Sequence, residues 1–134
     1  FGLRMASMGG YPLAIITGGR SESIRKRFLT CGVRAEDVYL GSRDKMEDFT
    51  DFCSKYGLKA CEVMYFGDDL PDLPVMLECG CGVAPADAVP EVLEKADYVS
   101  PYPGGRGCVR HTVETVMKLH GKWQLDVALY KKNF

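Results

Sequence analysis

Five short apolar runs recur along the chain, and helical segments separate them. They are PLAIIT (12–17), DVYLG (37–41), EVMYFG (62–67), CGVAP (81–85) and DYVS (97–100), and within each the apolar residues are consecutive rather than alternating. A strand that is apolar on both faces needs cover on both faces, which points to a parallel sheet between helical layers. SESIRKRFLTCG (21–32) reads as a helix, with Ser21 as its cap, Ile24, Phe28 and Leu29 at helical spacing, and Gly32 as its stop. DKMEDFTDFCSKYG (44–57) gathers Met46, Phe49, Phe52, Cys53 and Tyr56 on one side. LPVMLECG (73–80), PEVLEKA (90–96) and a final segment from about Val109 to His120 complete the set, the last entered through the glycine-rich loop PGGRG (103–107). The pattern predicts an α/β fold, a three-layer Rossmann-like parallel sheet with helices on both faces. With 134 residues it fits a single domain.

In such sheets, ligands bind beyond the carboxyl ends of the strands. Three motifs fall at such ends: Thr17 in IITGGRS, Lys45 in YLGSRDK, and Asp68, Asp69 and Asp72 in YFGDDLPD. Aspartate oxygens suit Mg²⁺, which keeps several waters and usually takes one or two carboxylates. A threonine hydroxyl with the backbone N–H groups of Gly18 and Gly19 can donate to phosphate oxygens. A lysine ammonium places compact positive charge beside a transferring group. Singly, each has a plainer reading. Thr-Gly-Gly can be a turn, a lysine starting a helix can be solvated, and Asp69 or Asp72 can cap the helix that follows. The ordered set carries more information than its parts.

Composition removes other classes. The 17 basic and 18 acidic residues leave a net charge of −1, without the lopsided footprint expected for a nucleic-acid or membrane surface. The run Arg25–Arg27 reads as a solvated helix face. Cys31, Cys53, Cys61, Cys79, Cys81 and Cys108 form no CxxC pair, and only His111 and His120 could join them, so a zinc site has little support. Reduced thiols in a cytoplasmic protein are the expectation. No apolar run approaches the roughly 20 residues that span a bilayer, and FGLRMASMGG at the start has no signal-peptide pattern. It also has no initiator Met, which raises the expectation that an N-terminal segment is missing from this sequence.

The order hydrophobic-strand Thr-Gly, then Lys, then Gly-Asp-Asp-x-x-Asp resembles motifs two, three and four of the haloacid dehalogenase superfamily. AIITGGRSE, VYLGSRDK, YFGDDLPDLPVM, APADAVPEV and ADYVSPYPGGRGCVRHTVETVMKLHGKW narrow the resemblance to its small capless phosphatases of 3-deoxy-D-manno-octulosonate 8-phosphate, over essentially the whole chain to about Trp123. The tail QLDVALYKKNF adds nothing to it. The resemblance implies a haloacid dehalogenase-like fold without a cap domain. It also implies a Mg²⁺-dependent phosphatase acting through an aspartyl phosphate on a sugar-acid phosphate, in lipopolysaccharide precursor synthesis, and a homotetramer. Thr17 and Lys45 would bind the transferring phosphoryl group. Asp68 would ligate the metal directly, with Asp69 and Asp72 behind it orienting metal-bound water or Lys45, although Asp69 could also touch the metal. Gly18, Gly19, Arg20, Gly105 and Arg106 would lie near the substrate, Arg106 against its carboxylate because a planar fork suits that group.

One departure stands out. The superfamily's first motif, Asp-x-Asp on the first strand, supplies the nucleophile and the acid/base, and nothing before Thr17 matches it. The expectation is a domain lacking that strand and the hairpin after it. Asp44, beside Lys45, begins a helix rather than ending the first strand, so it does not replace the nucleophile. Two other functions remain in view: a phosphatase of the nine-carbon 3-deoxy-nonulosonate 9-phosphate, or a non-catalytic oligomerisation domain. A response-regulator-like domain would also gather aspartates at strand ends, but has no need of GGRG or Gly-Asp-Asp-x-x-Asp.

Overall fold

Every predicted strand forms, and each is shorter than its apolar run. The computed structural model describes residues 2–105 and 107–123. Helix α1 (Gly2–Met8) leads into β1 (Ile15–Ile16), α2 (Glu22–Leu29), β2 (Val38–Tyr39), α3 (Lys45–Tyr56), β3 (Met64–Phe66), α4 (Leu73–Glu78), β4 (Cys81–Ala84), α5 (Pro90–Lys95), β5 (Tyr98–Val99) and α6 (Cys108–Leu119). Single 3-10 turns precede β2, β3 and α4.

All strand pairs are parallel, as the apolar runs predict. Among the described residues they form two sheets rather than one: β1 with β2, and β3-β4-β5. Both lie against a common core. Phe49, Cys53, Val75 and Cys79 from α3 and α4 are buried together, and Ile16 of β1 and Tyr65 of β3 pack on them. The split leaves a mark on burial. In β4, which has a neighbour on each side, Gly82, Val83 and Ala84 are buried, whereas β1 and β3, each paired on one side only, are half-buried throughout.

The helices follow local chemistry. Asp44 accepts from the N–H groups of Met46 and Glu47 at 3.0 and 3.3 Å, which starts α3. Gly57 ends it in the left-handed region at φ 64°, where a side chain would be strained. The spacing of Phe49, Phe52 and Cys53 turns one face inward. Ser21 caps α2 by accepting from Ser23 N–H at 3.3 Å, but the helix stops at Leu29, and Cys31 and Gly32 close a turn instead. No residue of α2 is fully buried. A second core joins Met76, Ala84, Ala88 and Val92 beneath α4, β4 and α5, and a third joins Met5 and Ala6 of α1 to Met117 of α6.

Among the described residues, Asp37 is a deeply buried carboxylate away from the carboxyl ends of the strands. Asp37 is 1% exposed and accepts from Lys55 Nζ at 2.7 Å and from the Tyr56 hydroxyl, so the end of α3 is locked to the start of β2. No helix among the described residues is long and apolar enough to cross a membrane.

Candidate active site

β3 ends at Phe66, and the chain then turns with almost no spare volume. A Cβ on Gly67 would lie 2.6 Å from both Asp72 Cβ and Met76 Sδ. The turn is held by the Asp72 carboxylate, whose two oxygens are fully engaged. Oδ2 accepts from the backbone N–H groups of Asp68 and Asp69 at 3.0 and 3.2 Å. Oδ1 accepts from Lys45 Nζ at 2.8 Å and from the Tyr65 hydroxyl at 2.7 Å. Lys45 opens α3, and Tyr65 belongs to β3, so a single carboxylate joins a helix start, a strand and the turn.

These contacts decide its charge state. Burial pushes the Asp72 carboxyl up, but the hydrogen bonds from Lys45, Tyr65 and the Asp68 N–H outweigh it and hold it below the usual aspartate value. Burial first, and then the hydrogen bond to Asp72, push the Tyr65 phenol well above the tyrosine range, so it remains a donor at any physiological pH.

The Asp69 side chain is committed locally, accepting from Leu70 N–H at 2.7 Å as the cap of the 3-10 turn. Asp68 is exposed at the end of the strand. Its backbone is fixed on both sides, by its own N–H to Asp72 and by its carbonyl, which accepts from Val89 N–H at 3.1 Å. Asp68 also borders a cavity of about 220 Å³, with Phe66, Pro85, Gly104, Gly105 and Cys108 among its walls. Gly105 is thus brought to the same space as Asp68; Arg106 lies outside the described residues.

Thr17 follows β1, its carbonyl accepting from Ser42 N–H at 2.9 Å and its hydroxyl from Gly19 N–H at 3.1 Å. Gly19 O in turn accepts from Gly41 N–H at 2.8 Å, so the Thr-Gly-Gly turn is stitched to the loop that leads to Lys45. Gly18 and Arg20 are exposed, the latter running alongside Gly41. Thr17, Gly18, Gly19, Arg20 and Lys45 are not among the walls of the Asp68 cavity.

Asp68, Asp69 and Asp72 do not converge on one point, and among the described residues no three His, Cys, Asp or Glu side chains are grouped to hold a metal. The donor chemistry still suits Mg²⁺. One free, exposed carboxylate at a rigid turn is the protein share that such an ion takes when waters and a phosphate supply the remaining oxygens.

Two participants carried no functional signal in the sequence reading. Tyr65 counted only as an apolar strand residue, although its place two before Gly67 sets it beside the turn. Asp87 accepts from Gly104 N–H at 2.8 Å and so braces the glycine-rich loop. It lay in a stretch noted only for resemblance.

A family model described as haloacid dehalogenase-like hydrolase matches residues 23–109. The chain is 38% identical over 122 residues to the 3-deoxy-D-manno-octulosonate 8-phosphate phosphatase of Escherichia coli K12, covering 91% of this chain and 64% of that protein. It therefore spans a little under two thirds of the length of that curated relative. The crystal structure of the phosphatase of the same name from Yersinia pestis superposes with a TM-score of 0.86 at 36% identity, over 90% of this chain and 64% of the other. A Moraxella catarrhalis phosphatase of that name, solved in complex with magnesium, phosphate and KDO, gives 0.82 at 32% identity, over 87% of this chain and 66% of the other.

Proposed function

This chain belongs to the haloacid dehalogenase-like hydrolases, and we propose that within that family it is the Mg²⁺-dependent phosphatase of 3-deoxy-D-manno-octulosonate 8-phosphate, releasing the free sugar acid for lipopolysaccharide precursor synthesis. The observation that carries this reading is the Lys45–Asp72 pair at 2.8 Å, set against the turn that presents Asp68. The 38% identity to a phosphatase of that name supports the substrate assignment.

In this reading, Lys45 offers positive charge to the phosphoryl group while Asp72 holds its ammonium in place. The Thr17 hydroxyl, whose oxygen accepts from the Gly19 N–H, and the N–H of Gly18 orient phosphate oxygens. Asp68 holds Mg²⁺, with Asp69 and Asp72 behind it; when bound, the ion neutralises charge on the phosphate so that an anionic nucleophile can approach. Gly105, Arg20 and Arg106 serve the sugar-acid part.

The nucleophile belongs, in our reading, to a further strand carrying an Asp-x-Asp pair, which fills the space between β1 and β3. The half-burial of both strands and their shared core support this placement. We also read the protein as cytoplasmic, supported by six free cysteines of which three are buried, and as a homotetramer, which gel filtration with light scattering would report.

The test is a phosphate-release assay on the native full-length protein, with the eight-carbon substrate, its nine-carbon 9-phosphate analogue, and Mg²⁺ present or chelated. Mg²⁺-dependent release with preference for the eight-carbon acid is expected. Preference for the nine-carbon acid would move the substrate assignment, and no release from either would leave the chain as a phosphatase-like assembly domain.

A further inference from the structure

Residues 86–89, between β4 and α5, hydrogen-bond to two stretches of chain that border the cavity. At one end, Val89 N–H donates to the Asp68 carbonyl at 3.1 Å. At the other, Asp87 Oδ1 accepts from Gly104 N–H at 2.8 Å, and Ala86 N–H donates to the Tyr102 carbonyl at 3.0 Å. Pro85, buried, lines the cavity together with Asp68, Gly104 and Gly105. The segment therefore spans from the turn that presents Asp68 to the glycine-rich loop opposite.

The Asp87 contact differs from the others in this brace. It is made by a side chain, and the group it holds belongs to the glycine-rich loop. Gly105 sits in the left-handed region at φ 75°, and a Cβ there would meet nothing within 4 Å. Gly104 and Gly105 are both exposed. A carboxylate accepting a backbone N–H is a charge-assisted hydrogen bond, stronger than a neutral one. Asp87 does not line the cavity itself.

We propose that Asp87 is a positioning residue for substrate selection: by holding Gly104, it sets the span between Asp68 and the glycine-rich loop, and so favours phosphate esters whose sugar-acid portion is long enough to reach that loop. The proposal rests on the phosphatase reading above and deepens it. A short phosphate ester with no group at the far end does not use the loop and is indifferent to Asp87.

The experiment compares wild type, Asp87→Ala and Asp87→Asn in the native full-length protein, using 3-deoxy-D-manno-octulosonate 8-phosphate and p-nitrophenyl phosphate, together with amide hydrogen exchange at Gly104. Asp87→Ala is expected to raise KM for the sugar-acid phosphate roughly tenfold, the scale of one hydrogen bond to a charged group, with little change in kcat. KM for p-nitrophenyl phosphate should stay put, and Gly104 exchange should accelerate. Asp87→Asn keeps an acceptor oxygen and should restore both KM and protection. An unchanged sugar-acid KM in Asp87→Ala overturns the proposal, as does an equal rise for both substrates. If wild type turns over neither ester, the phosphatase reading falls and Gly104 exchange decides alone: unaltered exchange in Asp87→Ala removes the brace, and faster exchange reversed by Asp87→Asn keeps it.

Discussion

Lys45 and Asp72 lie 27 positions apart and meet at 2.8 Å, with their side chains only 19% and 5% exposed. The pair ties the helix that follows β2 to the turn that follows β3, so it crosses between the two sheets. A buried pair of this kind adds little net stability over an apolar replacement, yet removing one partner leaves an uncompensated charge.

Asp72→Ala should therefore cost about 3–5 kcal/mol, because it also strands the N–H groups of Asp68 and Asp69. Urea unfolding followed by circular dichroism measures it. A loss below 1 kcal/mol would mean that the Lys45 ammonium finds water easily and that the turn does not depend on the carboxylate.

Lys45→Ala and Asp68→Asn both test the chemistry, and Asp68→Asn separates it from folding. Each should lower phosphate release by at least about 10²-fold, the usual effect of deleting one preorganised charge partner. Lys45→Ala also strands the buried Asp72 carboxylate and should lower stability, whereas Asp68→Asn breaks no buried pair and should shift the unfolding midpoint far less than Asp72→Ala. Asp68→Asn should also weaken Mg²⁺ binding in calorimetry. Near wild-type turnover in either variant would sink the site assignment.

Gly67→Ala tests the packing of the turn. The added Cβ would sit 2.6 Å from Asp72 Cβ, an atom that cannot swing aside without moving the carboxylate. Overpacking of this sort costs about 1–3 kcal/mol, and the displaced Asp72 should lower turnover as well. Thermal unfolding and the phosphatase assay together report both effects.

The β2–α3 polar cluster predicts alkaline behaviour. Burial, followed by the hydrogen bond to Asp51, pushes the Tyr39 phenol up to about 12, with Lys55 opposing. A folded pKa above the unfolded value near 10 means that the protonated form is favoured by folding. Its stabilisation is complete below about pH 10 and fades as pH rises through the folded value. Ultraviolet titration should find a tyrosine ionising near pH 12 that is absent in Tyr39→Phe, whose unfolding free energy should fall less steeply between pH 10 and 12.

The sequence made the fold class readable because the apolar runs and the helical spacings agreed. Phe49, Phe52 and Cys53 face inward as their positions require. Strand length was not readable, since two residues in β1 form a ladder within a six-residue run, and a ladder extends only where a neighbour is present on the right side. Helix α1 went unassigned by pattern: seven residues with a glycine first have weak propensity, and its burial depends on α6, more than a hundred positions later. In the site, Lys45 and Asp72 could be named from residue type and order. Tyr65 and Asp87 could not, because their roles consist of a partner, and a partner appears only once the chain has folded.

The edges of β1 and β3, on the proposal that a further strand closes them, carry a consequence for life in a crowded cell. Strand edges usually lie at the rim of a sheet, where charge or a covering loop can shield them. Among the described residues β1 and β3 are only half-covered. On that proposal a strand from another copy competes for the same place as a strand from its own chain, so the speed of closure decides whether two copies stay separate or become entangled.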